Sequence, residues 1–269
     1  MVELKQRMQC QRRGKGPTVV LVHGIPGRGS AWDRVVEELV PSFDVVTVDL
    51  LGFGTSDGFE RPSLENVGPS AQAVALADLL DALEVRSATI VGHDFGAPIA
   101  VLLASSRPDL VAGLALVAGN TFPDTPIPFP LSATTLPVLG SLVSRLLFSR
   151  LSLALMLRQG VGDGSPPPDP HIYLGDDRQL RTIAAIFSGA LRHLQEIYAP
   201  VGAALEDLDL PVRVVWGDRD PFFPVEQGRR TATAARGTLQ VLEGAGHFLP
   251  HERPAELARL VTDLAAAAR

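Results

Sequence analysis

With 269 residues, 46% of them hydrophobic, the chain can bury a large core in one α/β domain or in one such domain carrying an insertion. A net charge of -6, a pI near 5.5 and 24 scattered basic residues argue against a nucleic-acid partner, which would require clustered positive charge. The single cysteine, Cys10, excludes an intramolecular disulfide and a cysteine metal cluster.

Residues 1–15 are polar and basic and lack the apolar stretch of a secretory leader. The most apolar stretch, 131–157, is interrupted by Arg145 and Arg150, so it falls short of the ~20 unbroken apolar residues of a membrane span. A soluble protein of a reducing cytoplasm is expected, with no membrane association, as a monomer or a homodimer. Abundant alanine, and arginine in place of lysine, fit a GC-rich bacterial genome.

Apolar runs at 18–22, 44–49, 87–91, 110–117, 212–216 and 238–242 are short and rich in Val, Leu and Ile, as strands buried on both faces must be. Helical patterns at 32–40, 71–83, 97–105, 225–235 and 255–267 alternate with them. This alternation predicts an α/β fold, a mostly parallel, doubly wound sheet. It breaks between 121 and 210, where prolines cluster at both ends of helical segments. The expected organisation is a core domain of residues 1–120 and 211–269 with a helical cap at 121–210. The cap is counted as an insertion after the sixth strand, over the carboxyl ends of the strands where open α/β sheets bind ligands.

In chain order, the first chemical motif is His23, Gly24, Ile25, Pro26 and Gly27, a glycine-rich turn directly after a strand. The N–H groups of Ile25 and Phe95 are placed to form an oxyanion hole, while His23 reads as a structural hydrogen-bonding residue. The stretch 49–57 reads as loop shaping.

The run Val91, Gly92, His93, Asp94, Phe95, Gly96 and Ala97 carries the chemistry. Small residues around Asp94 allow a sharp strand-to-helix turn that lifts its side chain clear of the sheet. A carboxylate attacking an acyl carbon would give only an anhydride, whereas attack on a saturated carbon gives a stable ester. Displacement of an epoxide oxygen or a halide is therefore expected.

After the cap, Asp218 and Asp220 compete for the role of orienting a histidine from a loop at a strand's carboxyl end, and the spacing to Pro224 favours Asp220. Small residues ahead of His247 project it toward the elbow, which favours it over His251. The order Asp94, Asp220, His247 is that of nucleophile, acid and base.

These motifs together, at 23–27, 49–57, 92–97, 216–224 and 244–254, resemble the α/β-hydrolase superfamily over nearly the whole chain. An Asp at the elbow resembles its branch of epoxide hydrolases, haloalkane dehalogenases and haloacetate dehalogenases. The resemblance implies the α/β-hydrolase fold, Asp94 as nucleophile, His247 as base, Asp220 as its partner and the Ile25 and Phe95 N–H groups as the hole. It implies a small-molecule substrate and neither cofactor nor metal.

Haloalkane dehalogenases hold the halide with side-chain donors next to the nucleophile and in the first glycine-rich turn. This chain has Phe95 and Ile25 there, and Trp32 and Trp216 fall outside the cap. Haloacetate dehalogenases place an Arg where Phe95 stands. Epoxide hydrolases use cap tyrosines as proton donors, and Tyr173 and Tyr198 both fall in the cap.

The expected activity is opening of an apolar epoxide to a diol. The donor role is assigned to Tyr173, with Tyr198 or His193 as substitutes, and Phe148 and Phe187 are expected to line the substrate site. A dehalogenase working by the same two steps is the alternative. A binding or biosynthetic protein with a non-covalent Asp94 is the alternative of another class.

Overall fold

The computed structural model describes residues 6–125, 131–136 and 140–268. Its strands are β1 (Gln9–Gly14), β2 (Thr18–Val22), β3 (Asp44–Asp49), β4 (Ala88–His93), β5 (Val111–Val117), β6 (Val212–Gly217) and β7 (Thr238–Leu242). They form one sheet in the order β1-β3-β2-β4-β5-β6-β7, and every pairing is parallel except β1 with β3.

The helices are α1 (Asp33–Leu39), α2 (Leu64–Val67), α3 (Pro69–Ala82), α4 (Gly96–Ser106), α5 (Gly140–Leu147), α6 (Arg150–Gln159), α7 (Pro170–Tyr173), α8 (Asp177–Ala190), α9 (Leu194–Asp207), α10 (Val225–Ala234), α11 (Leu249–Glu252) and α12 (Pro254–Ala267).

The apolar strands are covered on both faces. In β2, Val19 and Leu21 point to a layer containing Val35 and Leu39 of α1 and Leu257, Val261 and Leu264 of α12. Val20 and Val22 point to the opposite layer, with Leu76 and Leu80 of α3 and Ile99 and Leu103 of α4. This is why β2 reads as an unbroken apolar run.

Strand β1 has no such signature. It lies at the sheet edge with its side chains mostly exposed, and it carries Arg12, which pairs with Asp44 of β3 at 2.8 Å. Charged side chains on an edge strand discourage pairing with other chains, and they also remove the apolar pattern by which a strand is recognised.

Helices α5 to α9 follow β5, the fifth strand of seven, and not the sixth as counted from sequence. Only five strands precede them among the described residues. Pro126, Pro128 and Pro130 lie outside those residues.

Polar contacts tie this helical segment to loops at the carboxyl ends of β2 and β3. The Arg28 guanidinium donates to the Ile172 carbonyl at 2.6 Å, and Gln179 Nε2 donates to the Gly27 carbonyl at 3.2 Å. Arg178 donates to the Ser56 and Gly54 carbonyls at 2.7 and 2.8 Å. Among the described residues, no helix is long and apolar enough to cross a membrane.

Candidate active site

Between β4 and α4 the chain turns through Asp94, whose φ of 51° lies in the left-handed region that L residues rarely adopt. Such backbone strain survives only where the surroundings over-determine it. Here the neighbours are glycines because nothing larger fits. A Cβ on Gly92 would come within 2.3 Å of the Gly96 carbonyl oxygen, and one on Gly96 within 2.4 Å of the Val22 carbonyl oxygen. The Asp94 N–H is anchored to the Val117 carbonyl of β5 at 2.9 Å, so the turn is tied to the neighbouring strand.

The raised carboxylate meets two groups. Its Oδ1 accepts the Ile25 N–H at 2.6 Å, from the turn that follows β2. Its Oδ2 lies 3.6 Å from His247 Nε2. His247 Nδ1 in turn lies 2.9 Å from Asp220 Oδ2. The other oxygen of Asp220 accepts the N–H groups of Phe222 and Phe223 at 2.8 and 3.0 Å, so its carboxylate is fixed from both sides. The three side chains that sequence reasoning singled out are thus brought into one line.

The competing residues have other partners. Asp218 accepts the Gly244 N–H at 2.7 Å, and His251 Nε2 contacts the Pro166 carbonyl at 2.9 Å. His23 Nε2 accepts the Leu50 N–H at 3.1 Å, so Nδ1 carries the proton and donates to the Gly24 carbonyl at 2.9 Å. It is a strut between the loops after β2 and β3.

His93 is a second strut. Its Nε2 donates to the His247 carbonyl at 2.9 Å. Burial and the nearby His247 push its pKa down to about 4, so it remains neutral and holds the loop that carries His247.

Electrostatics set the resting state of the site. Burial acts to lower the pKa of His247, but the Asp220 and Asp94 carboxylates outweigh it and raise the value to about 10. Burial acts to raise that of Asp94, yet His247 and the Ile25 N–H hold it below the usual carboxylate range. The resting site is therefore an imidazolium between two carboxylates.

Because the folded value for His247 exceeds the ordinary 6.5, its pairing stabilises the fold fully below that pH and less as pH rises toward 10. The melting temperature is expected to fall between about pH 7 and pH 10, and to fall less in Asp220→Asn. A melting temperature independent of pH over that interval would contradict this assignment.

Above Asp94 lies a cavity of about 100 Å³, lined on the core side by Ile25, Phe95, Asn120 and Phe223 and on the helical side by Leu131, Ile186, Phe187, Leu191, Leu194 and Tyr198. Among the described residues, no lysine or arginine side chain lines it, and the His247 ring stands 3.6 Å from the Asp94 carboxylate.

Of the residues expected to meet substrate, Phe187 and Tyr198 line this cavity. Tyr173 does not, which corrects its assignment as the proton donor. It packs edge-on against Phe248, with ring centroids 5.6 Å apart. Phe148 lies one layer back, stacked on Phe187 at 5.0 Å, and His193 sits at the start of α9, half exposed, 3.2 Å from Glu196.

Asn120, Thr125 and Phe223 were not singled out from sequence. Asn120 had a legible signal, because it follows β5 at the carboxyl end of the sheet, where ligands bind.

Among the described residues, no cluster of three or more His, Cys, Asp or Glu side chains could hold a metal ion.

The sequence model of the alpha/beta hydrolase family matches residues 19–260. The chain belongs to this family.

An uncharacterized protein of Mycobacterium tuberculosis is 33% identical to the hydrolase over 264 residues, spanning 92% of the hydrolase and 75% of the relative. A 2-hydroxy-6-oxononadienedioate/2-hydroxy-6-oxononatrienedioate hydrolase of Pseudomonas putida is 28% identical over 269 residues, spanning 97% and 92% of the two chains. The structure of a thermophilic esterase from Thermogutta terrifontis aligns with a TM-score of 0.79 at 23% identity, covering 97% of the hydrolase and 93% of the esterase. That likeness shows the shared fold. The names of these relatives span different reactions, so the chemistry of this hydrolase has to be argued from its own site.

Proposed function

We propose that the hydrolase opens a small neutral epoxide to a vicinal diol through an alkyl ester on Asp94, which water then hydrolyses. The observation that carries this reading is a carboxylate at the head of the elbow, held by the Ile25 N–H at 2.6 Å and standing 3.6 Å from a histidine that Asp220 orients. A carboxylate in that place forms a stable ester only with a saturated carbon.

In the first step Asp94 attacks an epoxide carbon, the C–O bond breaks, and the ring oxygen takes the phenol proton of Tyr198. The His247 imidazolium then returns a proton to the Tyr198 phenolate through water. Esterified Asp94 carries no charge, so His247 loses one of the two carboxylates that raise its pKa and becomes competent as a base. In the second step neutral His247 takes a proton from water, and the hydroxide adds to the Asp94 carboxyl carbon. The Ile25 and Phe95 N–H groups stabilise the oxyanion. Collapse releases the diol and restores the Asp94 carboxylate and the His247 imidazolium, so protons balance over the cycle.

The helical segment at 121–210 acts in this reading as a cap that supplies Tyr198 and an apolar wall. Leu131, Ile186, Phe187, Leu191 and Leu194 suit an apolar substrate, and a cavity of about 100 Å³ suits a small one. Among the described residues the lining holds no lysine or arginine to pair with a substrate carboxylate, and the His247 cation is already shared between Asp94 and Asp220.

Halide release by the same two steps is the second reading. The side chains of Phe95 and Ile25 offer it no donor, and the Trp216 indole N–H is engaged by the Phe223 carbonyl at 2.8 Å.

The test is a panel of 1,2-epoxyhexane, styrene oxide, 1-chlorohexane and cis-epoxysuccinate, assayed for diol and for halide. Diol from the two neutral epoxides is expected, with a roughly 10²-fold or larger loss in Tyr198→Phe and less than a few-fold change in Tyr173→Phe. Halide release without diol formation would overturn the proposal, as would a preference for the dicarboxylate.

A further inference from the structure

We infer that Asn120 is a positioning residue whose side-chain amide donates to the Tyr198 phenol oxygen, turning the phenol proton toward the substrate. The inference rests on the reading of Tyr198 as the epoxide's proton donor and adds a residue that no motif marks.

The orientation of the amide follows from its partners. One atom of the Asn120 side chain faces the Phe122 N–H at 3.1 Å, and since a backbone N–H can only donate, that atom is the oxygen. The same oxygen receives the Thr125 hydroxyl at 2.6 Å. Thr125 is otherwise near only acceptors, the Phe122 carbonyl at 3.2 Å and Gln227 Oε1 at 3.4 Å, so its proton is the one shared with Asn120.

With the amide oxygen doubly occupied by the turn after β5, the NH₂ group is left for the cavity. Asn120 is buried at 8% exposure, and together with Tyr198 and Asp94 it lines that cavity. A phenol oxygen that accepts from Asn120 does not spend its own proton on that contact.

The chemistry makes this contact count. When the epoxide oxygen takes the proton, the Tyr198 oxygen becomes anionic. Burial and then the charge of Asp94 both raise the cost of that phenolate, and Asn120 is the neighbour that opposes them. The hydrogen bond is therefore stronger in the transition state than in the resting enzyme, which is the condition for accelerating a step.

The experiment compares single-turnover alkylation by 1,2-epoxyhexane in Asn120→Ala and Asn120→Asp, each with and without Tyr198→Phe. The Asp variant keeps an oxygen for Phe122 and Thr125, and the Ala variant adds no charge, so the two cover each other if one folds poorly. Each is expected to lower the alkylation rate constant roughly 10- to 100-fold while substrate affinity changes by less than about twofold. In the Tyr198→Phe background each is expected to cost less than about twofold, because the group through which Asn120 acts is gone.

Equal losses in both backgrounds would overturn the inference and assign Asn120 a structural role. Retention of full rate in both Asn120 variants would overturn it too. If Tyr198→Phe itself alkylates at full rate, the reading of Tyr198 falls and this inference falls with it. Loss in Tyr198→Phe with additive Asn120 effects removes the inference alone.

Discussion

Asp94→Asn is expected to lower diol formation by roughly 10⁴-fold or more, with the folded protein intact. The side chain is isosteric, and its oxygen can still accept the Ile25 N–H that Asp94 Oδ1 accepts at 2.6 Å. The positive φ at 94 suits Asn as well as Asp, so the elbow keeps its shape. What disappears is the nucleophile, since a neutral amide does not displace an epoxide oxygen. The charge of the site changes in the same stroke, because His247 loses one of the two carboxylates that hold its pKa up near 10. Diol measured with 1,2-epoxyhexane and a melting curve together test this. An Asp94→Asn protein that melts normally and turns over within tenfold of the parent would mean that Asp94 is only a ligand contact.

His247→Gln is expected to separate the two steps. Ring opening draws its proton from Tyr198, which can be replenished from solvent, whereas hydrolysis of the ester needs the imidazole as base. One equivalent of epoxide should be consumed rapidly, followed by turnover slowed about 10³-fold or more. Rapid-quench analysis of epoxide loss checks the burst. Its amplitude should approach one per protein, and an absent burst with slow linear turnover would place His247 in the first step.

The parts of this site that can be read from sequence are the parts set by local chain geometry. Asp94, Asp220 and His247 each stand in a loop that follows a strand, and the parallel sheet brings all such loops to one edge. The spacing to Pro224 already favours Asp220 over Asp218, and in the fold Asp218 is engaged by the Gly244 N–H instead.

The helical segment is harder to read, because which face of a helix turns inward is decided by tertiary contacts. Tyr173 is directed by its neighbourhood: its carbonyl accepts Gln179 Nε2 at 2.7 Å, and its ring is pinned against Phe248, away from the cavity. Tyr198 on α9 falls on the cavity with Leu194 one turn before it. The edge strand β1 escaped for a different reason, its polar side chains giving no buried face to detect.

The site also ties its two steps together through charge. The resting imidazolium between two carboxylates is the form that can return a proton to Tyr198, and neutralising Asp94 as an ester is what converts it to a base.

The central claim is the covalent ester, and intact-protein mass of His247→Gln after brief exposure to 1,2-epoxyhexane tests it most directly. A mass increase equal to one whole epoxide, carried by the peptide that contains Asp94 and absent in the Asp94→Asn, His247→Gln double variant, is the predicted result. An unchanged mass while diol still forms, or an adduct on any other residue, would contradict it.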